Sequence, residues 1–221
     1  MDHDAWAEIQ ELMAGAPQQP RILLANQARR DSALEALQVT TGSFLGAMVA
    51  QCGALVLDDG WLRMLGSGAE GLPGIHEANN MEDGPPPFLE VAWDVLGGRF
   101  AINGGALDAD PGEVCYWGPD TLSWTGIGGG YSAFVTWAMG EGPTSFYLSL
   151  RWPSWKAETS CLAPHLGLSL YPPPFTTEGV SIANTTRSAV PIAELHSFYA
   201  EMSHQLASLP PETMFGITAK D

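Results

Sequence analysis

In 221 residues the chain carries 25 Asp and Glu against nine Lys and Arg, a formal net charge of −16, and is 45% hydrophobic but only 15% charged. That balance excludes a mostly disordered chain. It also argues against nucleic acid and anionic membranes as partners, because both are held by clustered cations, and here the cations are scattered with one adjacent pair, Arg29-Arg30.

The opening MDHDAWAEIQ is acidic and has no apolar signal core, so a cytoplasmic location is expected. Asp4 is placed to cap a first helix with Trp6, Ile9, Leu12 and Met13 as its apolar stripe, ended by residues 15–20. Residues 21–25 read as a short strand, and residues 32–37 as a turn or two of helix. Thr41 or Ser43 caps a second helix running through Gln51, with Gly53 just past its end. ALVL and WLRMLG follow as two strands joined at Asp58-Asp59-Gly60, since Asp-Gly is a strong turn signal. Residues 66–87 are rich in Gly, Pro, Asn and acid and read as a long surface loop.

Four short strands come next, over residues 88–92, 99–103, 114–117 and 122–125, separated by turn residues in the manner of an antiparallel meander. In GGRFAINGG, Phe100 and Ile102 share one face of a strand and Ala101 and Asn103 the other. Ser132 is expected to cap a helix holding Phe134, Val135, Trp137 and Ala138. Further helical stretches cover residues 145–150 and start after Pro153. Residues 166–171 form a strand stopped by three prolines. Residues 191–206 form the most regular helix, with Ile192, Leu195, Phe198, Tyr199, Met202 and Leu206 at helical spacing, and residues 210–221 form a loose tail. The whole is a single α+β domain, 1–221, with a largely antiparallel meander sheet packed by helices at its N- and C-terminal sides.

No sequence motif commits the chain to a reaction. Cys52, Cys115 and Cys161 are odd in number and far apart, which fits reduced thiols rather than disulfides or zinc. Neither a metal nor a cofactor is expected. Asp108 to Glu113 starts like a calcium loop, but Pro119 stands where the bidentate Glu belongs. His196 and His204 alone make a weak metal pair. The loop GIGGGYS, residues 126–132, lies between a strand and a helix, where amides can hold an anion, yet it matches no nucleotide motif. Trp61, Trp93, Trp117, Trp124, Trp137, Trp152 and Trp155 crowd the middle of the chain, most of them as core, with some available to line a contact face.

The blocks LQVTTGSFLGAMVAQCGALVLDDGWLRMLGSG, VLGGRFAINGGALDADPGEVCYWGPDTLSWTGIGGGYSAFVTWAMG and FYLSLRWPSW together resemble an uncharacterised bacterial family, domain of unknown function 2625, over residues 34–174. The resemblance implies two acids before the GGxFAxNGG block; here that place is Trp93-Asp94. It implies no agreed substrate, so no catalytic residue carries over. A more distant similarity is to the SUKH superfamily of α+β domains, many of them immunity proteins that neutralise toxins by binding them. It rests on the helix-led start, the meander GEVCYWGPDTLSWT and the helix entry YSAFV.

Two functions are then expected to compete. One is an acidic module binding a basic protein partner, such as a toxin, through residues 66–87 and carboxylates such as Asp58, Asp59, Asp108 and Asp110. The other is an enzyme or small-ligand binder with a site near Asp94, Asn103 and the 126–132 loop, where Arg63 or Arg99 meets an anion. Trp117 is a further candidate binding residue. The oligomeric state is left open.

Overall fold

The computed structural model describes residues 4–69, 71–81 and 84–208. Seven strands form one antiparallel sheet whose order across the sheet is their order in the chain. They are β1 (Arg21–Leu24), β2 (Cys52–Leu57), β3 (Leu62–Leu65), β4 (Phe88–Asp94), β5 (Arg99–Asn103), β6 (Val114–Trp117) and β7 (Trp124–Gly126). A two-stranded hairpin, β8 (Leu166–Tyr171) and β9 (Thr186–Pro191), stands apart. Among the described residues eight α-helices complete the fold: α1 (Ala5–Gly15), α2 (Gln27–Leu37), α3 (Phe44–Gln51), α4 (Ile75–Ala78), α5 (Tyr131–Met139), α6 (Gly142–Phe146), α7 (Trp155–Ser160) and α8 (Ile192–Ala207). The α+β class and the meander are therefore as expected, and β2, β3 and the four short strands β4 to β7 join one continuous sheet.

Register divides the chemistry of the two sheet faces, because partners directly opposite one another share a face. One row runs Arg21, Val56, Arg63, Trp93, Arg99, Trp117, Trp124; the next runs Ile22, Leu55, Met64, Ala92, Phe100, Tyr116, Thr125. The second row faces the helices. Phe100 is fully buried there and packs on Phe134 and Trp137 of α5 and on Phe146 of α6, with ring centroids 4.9, 5.8 and 6.0 Å away. The first row faces the C-terminal elements: Trp93 meets His196 and Trp117 meets Tyr199, both on α8. The Val95 carbonyl, just past β4, accepts from the Leu168 amide of β8 and so fastens the hairpin to the sheet.

Several boundaries differ from the sequence reading, each for a local reason. The helix expected over residues 32–37 starts at Gln27, because the Asn26 side chain accepts from the amides of Ala28 and Arg29. Of the two expected caps of α3, Ser43 is the one that serves, accepting from the Gly46 amide. α3 ends at Gln51 with Gly53 just past it, as expected, but Gly53 is already inside β2, where a Cβ would lie 2.5 Å from the Gly68 carbonyl. Ser132 caps nothing, since Gly130 holds the N-cap position of α5. The stretch expected at 145–150 is α6, starting earlier at Gly142, followed by a 3-10 turn over Leu148–Leu150. β7 starts at Trp124, after Leu122 turns with φ of 52°.

Residues 66–87 are not a surface loop throughout. Leu72 and Ile75 are buried, α4 interrupts the run, and Arg29 reaches across to the carbonyls of Ala69 and Leu72 and the carboxylate of Glu77. Strand β9 was not anticipated. The expected loose tail at 210–221 lies outside the described residues.

Candidate functional site

The structure divides the sequence-predicted residues among three places. Asp94 sits at the end of β4 with no solvent exposure. Its Oδ1 accepts from the amides of Leu96 and Gly98, both at 2.9 Å, and its Oδ2 accepts from the Tyr116 hydroxyl at 2.8 Å. Burial pushes its carboxyl up, against the pull of those three donors and the Arg63 guanidinium. Gly98 is required here, because a Cβ would fall 2.1 Å from Oδ2 and 2.4 Å from the Tyr116 oxygen. The first glycine pair of GGRFAINGG thus closes a turn around a buried carboxylate. Arg63 is 1% exposed on the opposite sheet face and donates to the carbonyls of Trp61 and Leu166.

Asn103 lies at the other end of β5, roughly 13 Å of strand away from the Asp94 turn at about 3.3 Å per residue. Its Nδ2 donates to the carbonyls of Leu107 and Ala109, and its Oδ1 accepts from the amides of Gly105 and Leu107. Those contacts hold the β5–β6 loop and leave its carboxamide occupied. The 126–132 loop does hold an anion, but the chain's own: the Gly128 amide donates to the Glu113 carboxylate at 2.8 Å. Arg99 pairs with Glu90 at 2.9 Å and lies over Trp117, 4.9 Å from the ring centroid. Trp117 itself is 4% exposed, packed with Leu195 and Tyr199.

Asp58 and Asp59 form the β2–β3 turn. With Gly60 they make three successive residues of positive φ, at 53°, 50° and 84°. Backbone of this kind persists only where its surroundings hold it. Here α7 does: the Thr159 hydroxyl donates to the Asp59 carbonyl at 2.8 Å, and Lys156 pairs with Asp59 at 3.4 Å. Arg151 pairs with Asp58 Oδ2 and is stacked among Trp61, Tyr147 and Trp155, with centroids at 4.9, 5.3 and 3.9 Å. Burial pushes the Asp58 carboxyl up, and Arg151 opposes it.

Beside this turn lies a small pocket of about 40 Å³, lined among others by Gln18, Asp58, Met139, Gly140 and Thr144. It adjoins a groove of about 650 Å³ between α1 and α5, lined by Glu8, Glu11, Leu12, Phe44, Thr136 and Met139; Met139 and Gly140 belong to both. Sequence reasoning singled out Asp58 but missed Glu11, Gln18 and Arg151. Among the described residues no group of three or more His, Cys, Asp or Glu is placed to hold a metal ion. Nor is any helix among them long and apolar enough to cross a membrane.

A single-domain α+β protein with a chain-ordered meander sheet and no metal cluster among its described residues is the class so defined. The chain belongs to the family described as Protein of unknown function DUF2625, which matches residues 1–195. It is similar to "Putative uncharacterized protein YbfG" of Escherichia coli (strain K12), 37% identical over 77% of this chain and 80% of that protein. It is also similar to an "Uncharacterized protein" of Haemophilus influenzae (strain ATCC 51907 / DSM 11121 / KW20 / Rd), 32% identical over 73% of each chain. No solved structure matches.

Proposed function

We propose that this protein is a cytoplasmic binding module for a basic protein, in the manner of an immunity protein for its toxin. The observation that carries this reading is the fate of the cations. Arg29, Arg30, Arg99, Arg151, Lys156 and Arg187 each meet a carboxylate of the chain itself, and Arg63 is sealed in the core. Exposed Glu11, Glu35, Asp108, Asp110, Glu178 and Glu194 meet no cation among the described residues. Such a surface presents uncompensated negative charge, which accelerates encounter with a positive partner and disfavours acidic ones.

The polar residues a catalytic reading would use are engaged in holding turns, which supports binding over chemistry. Capture of partners on the immobilised chain from its host extract, at low salt, tests the reading. The recovered protein is expected to be basic, with an association rate that falls at least about tenfold between roughly 20 and 500 mM salt. Recovery of acidic partners only, or association indifferent to salt, overturns it.

A further inference from the structure

We infer that the pocket at the ends of α1 and α5 receives a lysine side chain of a protein partner, whose flanking segment lies in the adjoining groove. This rests on the basic-partner reading and names its contact. The inference starts from what lines the pocket. The Asp58 carboxylate offers Oδ1, to which no described hydrogen bond is made, Oδ2 being taken by Arg151. Gln18 Oε1 is buried with no hydrogen-bond partner among the described residues. An orphaned acceptor of this kind is uncommon and calls for a donor.

The helix ends point the same way. α1 and α5 both finish at this pocket, at Gly15 and Met139, and neither has a basic residue in its last turn. Their C-terminal carbonyls carry partial negative charge that favours a cation. A Lys, Arg or His of the same chain can supply it; the last turns of α1 and α5 hold none.

Hydrogen-bonding capacity points to an ammonium group, which is close to a water molecule in size and fits this opening. An ammonium donates three hydrogen bonds, matching a carboxylate, an amide oxygen and helix carbonyls. The groove outside suits the rest of the segment: Leu12, Phe44 and Met139 provide apolar wall for a lysine stem or a neighbouring side chain, while Glu8 and Glu11 stand at the same groove.

n-Butylammonium reproduces the lysine side chain and is the probe. Titrating the isotope-labelled chain with n-butylammonium chloride, against sodium chloride at equal ionic strength, should shift the amides of Gln18, Gly140 and Thr144. Saturation is expected near about 1 mM or above, since a lone side chain supplies only a few kcal/mol. Gln18→Lys places the chain's own ammonium at the pocket. It should abolish those shifts, leave the remaining spectrum unchanged and weaken binding of the captured partner at least tenfold; Glu11→Lys should weaken the same binding. Shifts equal to those with sodium chloride, or located elsewhere, overturn the inference. A captured basic partner that binds Gln18→Lys and Glu11→Lys as tightly as the native chain overturns the site while the basic-partner reading stands. Saturation at the pocket with no basic protein captured supports the site and removes the wider reading.

Discussion

His196 shows how one side chain ties the C-terminal helix to the sheet. Its ring meets Trp93 edge-on at 4.9 Å, and its Nε2 is buried with no hydrogen-bond partner among the described residues. Burial, with the Arg99 charge adding to it, pushes its pKa down to about 3. In the unfolded chain it returns to about 6.5. Below that value the unfolded state takes up a proton that the folded state refuses, so this contribution to stability is whole above about pH 6.5 and shrinks as the pH falls towards 3. Between about pH 7 and about pH 5 the native chain should lose roughly 2 kcal/mol more stability than His196→Gln, at about 1.4 kcal/mol per pH unit below 6.5. Urea unfolding at the two pH values measures this; equal losses would mean that His196 is not held neutral. At this scale the sequence was only partly legible. Phe100 as core followed from alternation alone. That Asp94 and Asn103 serve turns did not, because a carboxylate in sequence looks the same whether it awaits a substrate or the amides of Leu96 and Gly98.

Elements were legible where their apolar residues repeat at a helix or strand period. The strands β5 and β6 have the expected bounds, and α8 buries Ile192, Leu195 and Tyr199 of its expected stripe. α2 was half missed because only Ala33 of its eleven residues is buried, so no stripe marks it. β9 was missed for a related reason: none of its six residues is fully buried, and its sequence TRSAVP shows no alternation. The β2–β3 turn was correctly placed by Asp-Gly, yet what clamps it, α7, lies about a hundred residues on. Gly60→Ala tests that clamp. The new Cβ would lie 2.6 Å from the Thr159 carbonyl, on a backbone with φ of 84°. Both effects act together, so the variant should be destabilised by roughly 2 kcal/mol or more. Trp155 fluorescence and urea unfolding should report the loosening of α7 and the loss of stability together. Unchanged stability would show that α7 does not hold the turn.

Across the whole molecule the fold class was readable and the candidate contact surface was not. The pocket draws Gln18 from past α1, Asp58 from the end of β2 and Gly140 from past α5, segments brought together only by packing. The sheet also divides the molecule by resistance to opening. β2 to β6 each pair on both sides, while β8 and β9 pair only with one another. A lone two-stranded ribbon is marginal by itself, so this hairpin depends for support on α8 and on bonds to the sheet such as those at the Val95 carbonyl and from Arg63 to the Leu166 carbonyl. Native-state hydrogen exchange should find β8 and β9 amides opening at a free energy a few kcal/mol below that of β2 to β6 amides. Equal protection in both would mean that the hairpin and sheet unfold as one unit.

The chain-ordered sheet has a bearing on how the protein is made. In a fold whose first strand pairs with its last, the early part of the chain must wait, unpaired, for synthesis to finish. Here each strand from β2 to β7 finds its neighbour already made, so the distances to be closed between partner strands stay short. Growth on the ribosome can then extend the sheet from one side, so that besides the β1 edge only the newest strand is open at any stage.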